Sequence, residues 1–175
     1  MGFDGTVEEA AFVRKPWPEK PPAFVGVLDN VRSLHNVGSI FRSADGAGFG
    51  GLILCGMTGT PPRAEIRKTA LGAEECVPWR YMPSTEKAIA WLREEGYVIL
   101  ALEKTPNSIP FYRLDVRPPV ALIVGHEFHG ISGSILSQCD MVAHLPMRGC
   151  KISLNVSVAF GIAAYELTRK VFGDT

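Results

Sequence analysis

An α/β domain, built on a mostly parallel sheet with helices on both faces, is the fold class this sequence predicts. Three observations carry it. Short apolar runs recur along the chain and stay apolar from one residue to the next, as strands buried on both faces do. Segments with apolar residues at helical spacing fall between those runs. The chain has 175 residues and no change of composition along it, which fits one domain at roughly 150 residues each.

The elements follow in order. Residues 1–22 hold Pro16, Pro18, Pro21 and Pro22, with Trp17 the one large anchor of the proline-rich part. They read as an arm leading into a domain of residues 23–175; a frayed terminus and a functional arm both remain open. Residues 23–28, rich in Phe and Val and stopped by Asp29 and Asn30, predict a buried strand. Residues 36–47 predict a helix with Val37, Ile40, Phe41 and Ala44 on one face. A strand at 52–54 and a short helix at 65–71 come next. Ser84 is placed to cap a helix running through Glu95, with Ala88, Ile89, Trp91 and Leu92 on its apolar side and Gly96 as its stop. Strands are expected at 97–102, 119–124 and 141–145, with a short helix at 132–139. Val156, Ala159, Phe160, Ala163 and Leu167 give a last helix over 153–171, with Ser153 in the place of an N-cap.

Apolar residues make up 46% of the chain and charged ones 21%, ordinary values for a globular protein. Lys and Arg number 18, as do Asp and Glu. A histone-like basic protein is excluded, and a nucleic-acid surface has to be a local patch. No apolar run approaches the roughly 18 residues of a membrane helix. The start of the chain carries Asp4, Glu8 and Glu9 and no apolar h-region, so the expectation is a cytoplasmic protein without a signal peptide. Cys55, Cys76, Cys139 and Cys150 form no C-x-x-C and read as reduced thiols without zinc.

Two patterns look like sites and read better as structure. Residues 46–51, Gly-Ala-Gly-Phe-Gly-Gly, formally match G-x-G-x-x-G. The dinucleotide fingerprint needs a strand before it and a helix after it; here the order is reversed, which makes the glycines a helix C-cap and turn. His126-Glu127-Phe128-His129 puts its histidines three apart between a strand end and a Gly130 turn, the wrong geometry for a helical metal pair. They read as loop residues near a site. Glu127 is different, because a carboxylate at the C-terminal edge of a parallel strand stands where ligands bind in open α/β sheets.

Three segments together are more specific. Residues 36–44 read Asn-Val-Gly-Ser-Ile-Phe-Arg-Ser-Ala, where Gly38 allows close backbone approach. Residues 122–132 read Leu-Ile-Val-Gly-His-Glu-Phe-His-Gly-Ile-Ser. Residues 145–159 carry Leu-Pro-Met-Arg-Gly-Cys-Lys-Ile and then Ser-Leu-Asn-Val-Ser-Val-Ala. With these three in order and spacing, the chain resembles the SpoU-type (TrmH-like) RNA ribose methyltransferases of the SPOUT superfamily. Residues 67–74, Arg-Lys-Thr-Ala-Leu-Gly-Ala-Glu, are similar to a further stretch of many members.

The resemblance implies an α/β fold with a deep C-terminal trefoil knot, bound S-adenosyl-L-methionine, a homodimer whose sites draw on both subunits, and methyl transfer to a ribose 2′-hydroxyl of tRNA or rRNA. By motif position, Gly125, Ile131, Leu145, Met147 and Leu154, with Leu102 before them, would line the cofactor pocket. Arg42 would be the catalytic arginine, and Asn36, Glu127, Ser153 and Asn155 would complete the active site. No metal is implied. Many members carry Gly where Phe128 stands, so this bulky ring is expected to reshape the pocket mouth. Arg63, Arg67 and Lys68, with Arg42, are the candidate RNA contacts; a solvated charged face explains the first three equally simply. Two other readings stay in view: an inactive RNA-binding module that keeps the fold, and a generic nucleotide-binding α/β protein.

Overall fold

The computed structural model describes residues 12–173. Asp4, Glu8 and Glu9, and with them the first half of the expected arm, lie outside the described residues. Seven strands form one sheet, every pair of them parallel: β1 (Phe24–Asp29), β2 (Gly51–Cys55), β3 (Trp79–Met82), β4 (Val98–Leu102), β5 (Ile109–Pro110), β6 (Val120–Val124) and β7 (Met141–His144), in the order β3-β2-β1-β6-β4-β7-β5. The helices are α1 (Leu34–Ala47), α2 (Ala64–Ala70), α3 (Ala73–Cys76), α4 (Thr85–Glu94), α5 (Gly133–Leu136) and α6 (Val156–Phe172), with a 3-10 turn at Phe111–Arg113.

The continuous apolar runs are explained by the two cores. Along β1, Phe24 and Leu28 point to one side and Val25 and Val27 to the other, and all are buried. The first side meets Phe41 of α1 and Phe160 of α6; the second meets Ile89 and Leu92 of α4 and Ile135 of α5. Each such side chain contributes about 1.5–3 kcal/mol by leaving water. Phe24, Phe49 and Phe160 form an aromatic chain with centroid spacings of 5.5 and 5.4 Å. Gly38 sits where a Cβ would come within 2.2 Å of the Ile66 carbonyl oxygen, so α1 and α2 approach through it as expected.

The five strands read from the sequence are all present, and the two that were not read are the edges. β3 has one neighbour, and only Trp79 of its four residues is buried, so no apolar run marks it. β5 is two residues long and ends in Pro110, a residue an edge strand tolerates. Arg14 and Trp17 pack beside β3. Arg14 Nη2 donates to the Trp79 carbonyl, and its guanidinium lies 4.1 Å from the Trp79 ring centre. Trp17 meets Trp91 edge-on at 5.7 Å, and Arg80 stacks on both rings. The Arg14 bond occupies one carbonyl of an edge that is otherwise open to pairing with other chains.

Helix ends follow local chemistry. Gly48 caps α1 at φ 76°, donating to Asp45 and Ala44 carbonyls, so the glycine cluster is a C-cap. Ser84 caps α4, its Oγ accepting from Lys87 N–H at 3.3 Å. Ser84→Ala is expected to lower stability by about 1 kcal/mol, read from the midpoint of a urea titration with an unchanged slope. One cap differs from expectation. Ser153 does not start the last helix; residues 149–154 form an exposed loop and Asn155 is the N-cap. Its Oδ1 accepts from Ser157 N at 2.9 Å and Val158 N at 3.4 Å. A carboxamide next to the first helical residue satisfies those orphan donors, so the helix starts later than its apolar spacing suggests.

Candidate active site

The C-terminal ends of β4, β6 and β7 lie side by side, and a cavity of about 670 Å³ opens against them. Leu102 ends β4, Gly125 follows β6, Leu145 follows β7, and Ile131, Met147 and Leu154 come from the loops beyond. All six residues expected around a cofactor line this one cavity. Gly125 allows its tightest turn. A Cβ there would stand 2.7 Å from the carbonyl carbon and 2.8 Å from the carbonyl oxygen of Gly130, so any side chain would push residues 126–131 away from β6.

Glu127 joins the three segments. Its Oε2 accepts from Arg32 N at 2.9 Å; its Oε1 accepts from Ser33 N at 2.8 Å and Asn36 Nδ2 at 3.0 Å. Asn36 Oδ1 in turn accepts from Asn155 Nδ2 at 3.1 Å. One carboxylate therefore ties the start of α1 to the β6 loop, and one amide pair carries the link to the start of α6. Partial burial raises the Glu127 pKa, but the Ser33 and Arg32 amides and the Asn36 side chain outweigh it and hold the carboxyl below its ordinary value. A negative group at the N-terminus of α1 is also favoured by the helix dipole.

Of the expected catalytic set, Glu127, Ser153 and Asn155 line the cavity, and Asn36 reaches them by its hydrogen bonds. Arg42 does not line it; it is exposed on α1. Arg63, Arg67 and Lys68 are exposed on and beside α2, also away from the cavity, and Arg67 stands 3.9 Å from Glu75. His126 and His129 sit in a turn rather than on a helix, where His126 Nδ1 accepts from the N–H groups of Phe128 and His129 at 3.0 and 3.3 Å. Among the described residues no group of three or more His, Cys, Asp or Glu is placed to hold a metal ion.

Glu103 was missed. It follows Leu102 at the end of β4; its Oε2 accepts from Ile131 N at 3.0 Å and its Oε1 from Lys104 N at 2.9 Å. It buttresses the same turn that Gly125 admits. The signal was available, since Glu103 stands after β4 much as Glu127 stands after β6.

A model of the SpoU rRNA methylase family matches residues 23–165. The 23S rRNA (guanosine-2'-O-)-methyltransferase RlmB of Coxiella burnetii is 31% identical over 164 residues, covering 94% of this chain and 65% of that one. The chain thus spans just under two thirds of that relative's length. The AdoMet-bound rRNA methyltransferase from Sinorhizobium meliloti superposes with a TM-score of 0.81 at 30% identity, over 90% of this chain and 60% of that one. A structure concerned with 2-OH methylation of C/U34 on tRNA superposes at 0.75 and 26% identity, over 88% of this chain and 99% of that one. By sequence match over most of its length and by fold, the chain belongs to the SpoU rRNA methylase family.

Proposed function

We propose that this protein transfers a methyl group from S-adenosyl-L-methionine to a ribose 2′-hydroxyl of tRNA or rRNA. The observation that carries the reading is the convergence of two distant segments, 122–132 and 145–159, on one cavity, with the third, 36–44, tied to it through Asn36, which bonds Glu127 and Asn155. The cavity suits the donor: apolar walls from Leu102, Ile131, Leu145 and Leu154, backbone groups at a strand edge, and room for a molecule of that size. When bound, that molecule supplies an activated sulfonium methyl. The chain's own task is to hold the acceptor in line and to stabilise the oxygen as its proton leaves. Glu127 is a poor base for that proton, since three donors already occupy its oxygens.

The same reading includes a homodimer, the family's trefoil knot and a cytoplasmic location. Val158, Ile162, Tyr165 and Phe172 form an exposed apolar stripe along α6. Tyr165 Oη comes within 2.6 Å of where a Cβ on Gly46 would stand, one helical turn beyond Arg42 on the same face of α1. A second copy docked on this stripe covers it and brings Arg42 toward the partner's cavity. For the knot, the support is the family match over residues 23–165. Among the described residues no helix is long and apolar enough to cross a membrane. Residues 1–22 form the arm and 23–175 the methyltransferase domain; the family match begins at residue 23.

In this scheme Arg42 clamps an RNA phosphate through two parallel N–H bonds. Arg42→Lys keeps the charge and loses the fork, and is expected to lower kcat/KM for RNA about tenfold; an unchanged rate removes the clamp. The reading itself is tested by transfer of labelled methyl from S-adenosyl-L-methionine to total RNA, followed by nucleoside mapping and alkaline hydrolysis. The expected product resists cleavage at the mapped nucleotide. Donor binding without transfer to any RNA marks an inactive RNA-binding module, and absence of binding heat with folded protein overturns both.

A further inference from the structure

Phe128 stands at the rim of the cavity with 83% of its surface exposed. A large ring left in water forgoes the gain of burial, and the backbone that carries this one is fixed. The turn beneath it is closed by Gly130 N donating to the His126 carbonyl at 2.9 Å and by the two amides on His126 Nδ1. On one side Glu127 is fixed to Arg32 and Ser33; on the other Ile131 is fixed to Glu103. The His126 ring lies 6.1 Å from the Phe128 ring, and the His129 ring lies 4.7 Å beyond His126. Lys104 lines the same cavity, and Arg148 and Lys151 are exposed next in the chain to its lining residues Met147 and Ile152.

An exposed ring on a hydrogen-bonded turn, with an imidazole beside it and cations nearby, is complementary to an unpaired nucleobase with its phosphates. Proteins that read single-stranded RNA stack bases on such rings. We propose that Phe128 is the platform on which an unpaired nucleobase of the RNA stacks, beside the ribose that accepts the methyl. This rests on the ribose-methyltransferase reading of the same cavity. It assigns to Phe128 the positioning of substrate and not the binding of the methyl donor.

Phe128→Ala, Phe128→Leu and Phe128→Trp in the full chain separate the possibilities, with the mapped RNA as substrate. The alanine and leucine variants are expected to raise KM for RNA about tenfold with a smaller change in kcat. The tryptophan variant is expected to stay near the parent value, and donor affinity by calorimetry to stay unchanged in all three. If leucine performs as well as phenylalanine, bulk and not the aromatic face is responsible, and the platform is wrong. If alanine leaves KM unchanged but shifts the oligomer in sedimentation, the ring is a contact for a second copy, which also overturns it. In both cases the methyltransferase reading survives. If the parent chain neither binds the donor nor methylates RNA, both fall together.

Discussion

Gly125→Ala is expected to abolish tight binding of the proposed methyl donor while leaving most of the sheet intact. The added methyl carbon lands 2.6 Å from Ile131 Cγ1 and under 3 Å from the Gly130 carbonyl group. A flexible side chain can swing away; the Gly130 backbone cannot, because Gly130 N is bonded to the His126 carbonyl and the next amide, Ile131 N, to Glu103. The turn must therefore shift as a body, and the cavity wall formed by residues 125–131 shifts with it. Overpacking of this kind costs about 3 kcal/mol at the upper end of its usual range, which corresponds to roughly two orders of magnitude in Kd. Calorimetric titration with S-adenosyl-L-methionine measures it, and urea unfolding of the same variant checks that the fold persists. A Kd within a factor of about three of the parent, less than 1 kcal/mol, shows that the turn does not form the binding wall.

Glu127→Gln breaks the link between the three segments. The amide that replaces one oxygen presents N–H where Ser33, Arg32 or Asn36 already point theirs. Bonds to a charged acceptor are the stronger kind, and leaving such donors unpaired at a half-buried site costs about 2 kcal/mol at pH 7. The pH dependence has a defined sign. The folded-state pKa of Glu127 lies below its ordinary value of 4.5, so its contribution is complete above that value and is lost as the pH falls through the folded pKa. The stability gap between parent and variant, followed by denaturant titration, should therefore narrow on acidification. A gap that widens toward low pH contradicts the assignment. Methyl transfer should fall further than stability does, because Asn36 and Asn155 lose their fixed positions together.

The centre of this fold was legible and its margins were not. β1, β2, β4 and β6 announce themselves because both faces are largely buried, so apolar residues follow one another, and β7 is marked by Met141-Val142-Ala143 although only Ala143 is buried. β3 and β5 touch one neighbour each, and so little of either is buried that Trp79-Arg80-Tyr81-Met82 and Ile109-Pro110 read as loop. Ser153 and Asn155 show a second limit. Both are good caps, and only the path of the loop from β7 decides between them. The six pocket-lining residues came from motif resemblance, and periodicity alone would not have found them, since they lie on loops where neighbours in space are far apart in sequence. Arg42 shows another limit: its motif is intact, yet it is exposed on α1 and does not line the cavity.

The strand order also governs how the molecule can be made. β4 has two neighbours, β6 and β7, and both follow it in the chain. A nascent polypeptide that stops short of residue 120 therefore carries a strand of Val-Ile-Leu-Ala-Leu with no partner at all, and leaves one side of β1 bare. Half-synthesised protein has no smaller native structure to rest in around these strands, and it exposes the edges most prone to pairing with other chains. Assembly waits until β6 and β7 have been made, and closing such distant pairings makes it slow.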